Sequence, residues 1–381
     1  MSTANTHMDH FEDRFIIDGN NPIILVDKII DGEVSFTRKW DGAPSIFLGR
    51  DKKGVYIARK GIFNKTPILY YTDNCIVKDL GECALSNKLM TVLDVLKDTI
   101  IKEGQLFQGD LLFTRGDVSS GPNDDGYYTF QPNTIVYGTK EDLTRYYVGM
   151  VWHTEYKNKK VYKFGGDIKS KIGDMYGLYH FNASDEIAPI DNRTIQLLKY
   201  MRKEAAEIIA GAETKWNIYD LDDKTRQLWV QFINHKIKVQ DFWDDFNHYE
   251  EYYEWLRKYI QETVSKFKKL ETRTRKRLEY KPAIEDIPKM DRVGQLHSIL
   301  YRMKMVILEN LNSASSMVTY LNTSKGFTPT SHEGYVVIDD KGIDAVKIID
   351  REEFSYANFS PDVIKGWKRD FYEYTSKCNA R

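Results

Sequence analysis

The sequence has few of the residues that make a site on their own. Its three cysteines, Cys75, Cys83 and Cys378, are scattered with no Cys-x-x-Cys pair, and its eight histidines do not cluster. Neither a disulfide framework nor a zinc site is written in it, so reduced and mostly buried thiols are expected. Long apolar runs are also missing. Stretches such as Ile23-Ile24-Leu25-Val26 are far short of the roughly 20 residues that cross a bilayer. Met1 to Phe15 is polar and partly acidic, unlike a secretory signal. Neither sign of charge dominates: 55 basic side chains face 56 acidic ones, for a net charge of −1. That balance argues against a general nucleic-acid coat but leaves room for a local basic patch. No Gly-x-x-x-x-Gly-Lys-Ser/Thr loop occurs, which disfavours a P-loop NTPase, and no internal repeat is apparent. These absences together predict a cytoplasmic protein that does not engage a membrane.

What is present is a long, aromatic-rich chain. Its 381 residues suffice for one large domain or two smaller ones, and 13% are aromatic, including 25 tyrosines. Such rings can stack on bases or simply fill cores. The first third reads as strands. Val34–Thr37 leads into the turn Asp41-Gly42-Ala43-Pro44, and Ser45–Leu48 and Val55–Ala58 flank a Gly-bearing turn, which is a hairpin signal. Leu89, Val92, Val95 and Leu96 predict a short amphipathic helix within Asn87–Lys102. Further strands are expected at Gln105–Phe107, Thr134–Tyr137 and Tyr147–Trp152.

The pattern changes near Asn182. Leu198, Met201, Ala205 and Ile208 recur at helical spacing, with Gly211 where a C-terminal cap belongs. Helical patterning continues through Asp241–Leu278 and Gln295–Leu311, and strands return at Gly334–Ile338 and Ala345–Ile349. The division expected is a β-rich body at 1–185 and 325–381, interrupted by a helical insertion at 186–324. Within the insertion, Asp241–Glu254 holds six acidic residues and no Lys or Arg, whereas Arg257–Lys281 holds ten Lys or Arg against three Glu. Lys268, Lys269, Arg273, Arg275 and Arg277 could lie along a phosphate backbone. They could equally form a solvated face or pair with the acidic segment.

Lys39-Trp40-Asp41-Gly42 leaves a strand as Lys-x-Asp-Gly. Alone it is weak, since a chain this long shows one by chance about one time in ten, and Asp-Gly is an ordinary turn device. Its company raises it. Arg59-Lys60-Gly61 follows a strand end, and Gly109-Asp110 places a carboxylate between apolar runs. Glu333-Gly334-Tyr335-Val336 places a second carboxylate at a strand start, and Lys347 sits inside the apolar Ala345–Ile348. A strand lysine in such surroundings is costly unless its ammonium meets a partner or ligand. Together these residues meet the needs of nucleotidyl transfer. A lysine nucleophile needs nearby positive charge or desolvation to become neutral, the phosphates need cationic donors, and Mg²⁺ needs carboxylate oxygens.

In this order the residues resemble the covalent nucleotidyltransferases, the superfamily of ATP-dependent DNA ligases, RNA ligases and mRNA capping enzymes. Lys39–Gly42 matches motif I, Arg59–Gly61 motif Ia, Gly109-Asp110 motif III, Glu333–Val336 motif IV, and Lys347 the second lysine of motif V. Asp110 stands where that family usually has Glu, Thr37 where it often has Glu, and Ala345 where motif V begins with Lys. The phrases Lys39–Pro44, Gln108–Leu112, Gln131–Tyr137 and His332–Val337 are also similar to ligase-like proteins of tailed bacteriophages.

The resemblance implies an α+β fold, an antiparallel-sheet nucleotidyltransferase body of the ATP-grasp-like ligase adenylation type. It implies no C-terminal OB-fold, since only 34 residues follow Lys347. It implies ATP and Mg²⁺ as cofactors and a polynucleotide end, RNA or DNA, as partner, with the host cytoplasm as location for a phage protein. Lys39 would carry AMP, and Arg59, Asp110, Glu333 and Lys347 would bind the nucleotide, Asp110 and Glu333 through the metal. Trp152 and Tyr137 are the candidates to stack on the base, with core packing the competing reading for both. His153 and His332 read as structural. A nucleotide- or nucleic-acid-end-binding protein that has lost its chemistry, or an enzyme that modifies a protein, are the alternatives.

Overall fold

The computed structural model describes residues 8–19, 21–185, 187–212, 217–218, 220–239 and 248–366. Residues 241–247 of the acidic stretch, which belong to the helical insertion, and Cys378 lie outside them. The chain is α+β, with thirteen strands among the described residues. These are β1 (Val34–Lys39), β2 (Ser45–Asp51), β3 (Gly54–Ala58), β4 (Leu106–Thr114), β5 (Tyr128–Phe130), β6 (Ile135–Thr139) and β7 (Val148–Lys157). Then follow β8 (Lys160–Phe164), β9 (Leu178–Asn182), β10 (Val318–Thr323), β11 (Gly326–Pro329), β12 (Gly334–Asp339) and β13 (Ala345–Ile348).

They form three sheets. One runs β1-β12-β13, a second β11-β10-β6-β5, and the largest β3-β2-β4-β7-β8 with β9 parallel to β7. All other strand pairings are antiparallel. The hairpin expected around residues 51–54 is present, with Arg50 opposite Val55. The helix expected within Asn87–Lys102 spans Ala84–Leu96, and its Leu85, Leu89, Val92 and Leu96 pack on Ile46, Leu48, Phe107 and Met150. Strand residues alternate faces, so Ser45, Phe47, Gln108 and Asp110 point away from that helix.

The helical segment does not build a core of its own. Helices Asn192–Ala212, Asp223–Lys238, His248–Ser265 and Met290–Ser313 share one apolar core with Phe11, Phe15, Val26 and Ile29 near the N-terminus and with Tyr335, Val337, Val346 and Ile348 of the three-stranded sheet. The helix Asn192–Ala212 runs through Gly211 without stopping there. The span 186–324 ends in β10, which pairs with β6 of the body. Each fully buried Leu or Ile in this interface is worth roughly 1.5–3 kcal/mol, so the helices brace the sheet that carries Lys39.

That bracing has a buried ionic component. Glu12 accepts from Lys304 Nζ at 2.7 Å, and Arg351 Nη1 reaches Glu12 at 3.3 Å and Asp13 at 2.9 Å. His297 Nε2 lies 2.9 Å from Asp13, and Arg351 Nη2 donates to Asn234 Oδ1 at 2.9 Å. Residues 9–11 extend the three-stranded sheet: Lys347 N–H donates to Asp9 and Phe11 N–H to Lys347. The N-terminal segment thereby ties β13 to the long helix.

Candidate active site

Register brings the first and last motifs together. β1 and β12 pair with Lys39 opposite Gly334, and β12 and β13 with Val336 opposite Lys347. Period-two alternation then puts Thr37, Lys39, Val336, Ile338 and Lys347 on one face, while Phe36, Tyr335, Val337 and Val346 face the helices. Glu333 is the residue before the paired Gly334, and its Oε1 accepts from Lys39 Nζ at 2.5 Å. Gly334 has φ +138°, and a Cβ there would lie 2.2 Å from the Ile348 carbonyl oxygen, so the strand start tolerates glycine alone.

The opposite wall is the large sheet. Ser45 pairs with Asp110, and Asp110 with Val151. Asp110 Oδ1 accepts from Ser45 Oγ at 2.6 Å, and its Oδ2 lies 3.6 Å from His153 Nε2. Gln108 bridges to Ser45 and accepts from the Tyr156 hydroxyl at 2.6 Å. The two walls enclose a cavity of about 380 Å³ lined by Lys39, Asp110, Glu333 and Lys347 together with His153 and Trp40. That size falls in the range of small-molecule sites.

The motif turn is fixed to both walls. A Cβ on Gly42 would meet Asp110 Cβ at 2.6 Å, and Ala43 N–H donates to Leu111 while Leu111 N–H donates to Pro44. Asp41 does not line the cavity. Its buried carboxylate accepts from Asn133 Nδ2 (2.7 Å), Thr134 N–H (2.7 Å) and Ile135 N–H (3.1 Å). Burial raises its pKa against those hydrogen bonds. Asp41 is thus the peg that holds the turn on β6, which leaves Lys39 free to face the cavity.

Charge in the site is unevenly shared. Burial pushes Glu333 up to about 7, with Asp41 and Asp110 adding to the shift and Lys39 opposing it. Burial works to lower Lys39, but Glu333, Asp41 and Asp110 outweigh it and hold the ammonium charged. Lys347 moves the other way, lowered by burial and then by the neighbouring Lys39 and Arg351. Asp110 stays below the usual carboxylate range, because His153, Ser45 and Lys39 outweigh its burial.

Of the residues read from the sequence, the fold gathers Lys39, Asp110, Glu333 and Lys347. Arg59 is not among the cavity-lining residues; its side chain bonds the Tyr70 hydroxyl. Trp152 and Tyr137 also need correcting as base-stacking candidates for this cavity. Trp152 has no accessible surface and donates from Nε1 to His180 Nδ1 at 3.1 Å, inside the core beneath helix Ala84–Leu96. Tyr137 is buried, and its hydroxyl accepts from the Asp41 N–H at 2.7 Å. Both rings are buried, and an aromatic ring gains much from such packing.

The sequence reading gave no site role to Ser45, Gln108 or Trp40, and it read His153 as structural, whereas His153 lines the cavity and faces Asp110. His153 is two residues from Val151 on β7, so strand alternation was the available signal for its facing Asp110. His332 is buried beside Tyr335, with ring centroids 4.6 Å apart, and is pulled down to about 3 by burial and then by Arg38, so it is neutral.

Lys268, Lys269, Arg273, Arg275 and Arg277 are exposed on or just before helix Leu270–Leu278, which buries no residue. None of the five makes an ion pair with a described carboxylate. No helix among the described residues is long and apolar enough to cross a membrane.

Residues 5–362 match the family of unknown function DUF6267. The chain belongs to that family. No curated protein and no solved structure matches it.

A site for Mg²⁺ is tested by the donors themselves. Glu333 Oε2 is buried with no hydrogen-bond partner, and Asp110 Oδ2 has only His153 at 3.6 Å. Among the described residues no group of three or more His, Cys, Asp or Glu could hold a metal. Two carboxylates with spare oxygens fit Mg²⁺, which keeps several waters and takes its remaining ligands from phosphates; they do not fit zinc.

Proposed function

We propose that the protein is an ATP-dependent nucleotidyltransferase with a ligase-like adenylation fold, which forms a covalent lysyl-AMP at Lys39 and acts on polynucleotide ends. The observation that carries this reading is the convergence of Lys39, Asp110, Glu333 and Lys347 from far-apart segments onto one cavity. The ammonium of Lys39 must lose a proton before attack. Glu333, at 2.5 Å and pushed to about 7, is placed and poised to take it. Lys39 Nζ then attacks the α-phosphorus; the P–N bond forms, the bond to the bridging oxygen breaks, and pyrophosphate leaves with that electron pair. Lys347 supports the charge on the phosphates. Asp110 would hold Mg²⁺, which supplies charge neutralisation when bound with the nucleotide, and Glu333 would join it as a ligand once its proton has been passed on. The AMP passes on to a 5′-phosphate, and a 3′-hydroxyl displaces it.

Intact-mass measurement after incubation with ATP and Mg²⁺ tests the first step, with Lys39→Ala alongside. A gain of one AMP, absent in the variant, supports the reading. No adduct with ATP or GTP, in folded protein free of prior adenylylation, overturns it. One observation favours the binding-protein alternative: three carboxylates hold Lys39 as a cation, a state that binds phosphate but does not attack it.

A further inference from the structure

A second cavity of about 680 Å³ lies beyond Trp40, and Arg38 and Trp40 line both. Aromatic rings dominate its wall. Trp40 is 4.8 Å from Tyr137 and 4.9 Å from Phe181 between ring centroids, and Tyr179 lies 5.6 Å from Phe181. Tyr127 and Phe130 also line it. Rings arranged this way offer faces and edges to a planar ligand, and nucleobases stack on such surfaces.

Its charge is positive and unspent. Arg38 is only 7% exposed. Its Nη2 donates to Ser315 Oγ at 3.1 Å, but its Nε has no partner and no described carboxylate pairs with it. A guanidinium buried this way is costly until an anion joins it, and a planar fork is suited to phosphate. Lys140 and Lys169 add two cations to the lining. The two carboxylates there are already engaged: Glu141 with Arg145 at 2.5 Å and the Tyr146 hydroxyl at 2.6 Å, and Asp185 with the Asn182 amide at 2.9 Å.

We propose that this cavity binds the 5′-phosphorylated end of a single-stranded polynucleotide, with the terminal phosphate on Arg38 and a base among Trp40, Tyr179 and Phe181. The assignment rests on the reading of Lys39 as nucleotidyl carrier, because it makes the cavity the acceptor subsite. Arg38 and Trp40 line both cavities, so the two sites adjoin across β1, with the Lys39 side chain on one face of the strand and that of Arg38 on the other.

The test is fluorescence anisotropy with a short single strand bearing a 5′-phosphate and the same strand bearing a 5′-hydroxyl, as RNA and as DNA. The phosphorylated strand is expected to bind about tenfold tighter, the usual worth of a charged hydrogen bond. Arg38→Gln removes that preference. Because a buried substitution can unfold the chain, the double variant Lys140→Glu with Lys169→Glu is measured too; it weakens the phosphorylated strand about tenfold or more. Equal affinity for both ends, or no response to either variant in folded protein, overturns the inference. Intact-mass analysis with ATP on the same wild-type preparation separates the two proposals. An AMP adduct without end preference overturns the acceptor subsite alone, and end preference without an adduct overturns the Lys39 chemistry alone.

Discussion

Lys39 Nζ lies 2.5 Å from Glu333 Oε1 across 294 residues of sequence. The contact follows from strand register: Lys39 opposes Gly334, and a glycine with positive φ turns the preceding glutamate into the cavity. The lysine is 30% exposed and the glutamate 8%, so one partner reaches into the cavity while the other stays largely dry.

Replacing Glu333 by Gln removes the proton acceptor while keeping the shape. Covalent labelling of Lys39 by ATP should slow about 100-fold, read as the initial rate of mass gain. Labelling at the wild-type rate would show that Glu333 takes no proton.

The same group sets the pH dependence. Burial raises Glu333 to about 7, so its basic form is lost as pH falls through that value. The labelling rate of wild-type protein should drop tenfold per pH unit below about 7, and Glu333→Gln should lack that limb. A flat wild-type profile between pH 5 and 8 in folded protein assigns the proton elsewhere.

Gly334→Ala should unfold or strongly destabilise the chain. The new methyl would meet the Ile348 carbonyl oxygen at 2.2 Å on a backbone at φ +138°, a clash with main chain that costs about 2 kcal/mol or more. Urea denaturation measures it. A midpoint like wild type would mean that the β12–β13 register yields easily.

Arg351→Met leaves Glu12 and Asp13 buried with a partner removed. The cost at pH 7 should be about 3–5 kcal/mol, again by urea denaturation. In wild type, burial raises Glu12 but Lys304, His10 and Arg351 outweigh it and hold the carboxyl at about 2, against 4.5 when unfolded. A lowered carboxylate contributes stability that is present above about pH 4.5 and is lost as pH falls toward 2. An acid transition that is the same in wild type and variant would remove this network from the account.

Charge reversal at Lys268, Lys269, Arg273, Arg275 and Arg277 tests the exposed helix. If it tracks a phosphate backbone, polynucleotide affinity falls and the slope of log affinity against log salt shrinks by about one per lost contact. Unchanged affinity and slope would make it a solvated face.

Much of the local structure was legible in the sequence. Runs of β-branched and aromatic residues around Gly-bearing turns marked β2, β3, β12 and β13, and the helical patterning of Gln295–Leu311, with Leu296, Ile299, Leu300, Met303 and Ile307 on one stripe, marked the helix Met290–Ser313, because burial on one helix face imposes a period that survives in the residues. The motif order also singled out Lys39, Asp110, Glu333 and Lys347, the four that share the cavity. The sequence could not place Arg59 beside Tyr70, decide between base stacking and core packing for Trp152, or leave Arg38 buried without a described carboxylate. Those outcomes depend on which strands pair and in what register, and a shift of one residue moves a side chain to the opposite face. Nor could it show that Phe11, Phe15 and Val26 would pack with helices some two hundred residues away and with the back of β12 and β13. A local pattern says only that a face is apolar; what covers that face is decided by the chain as a whole.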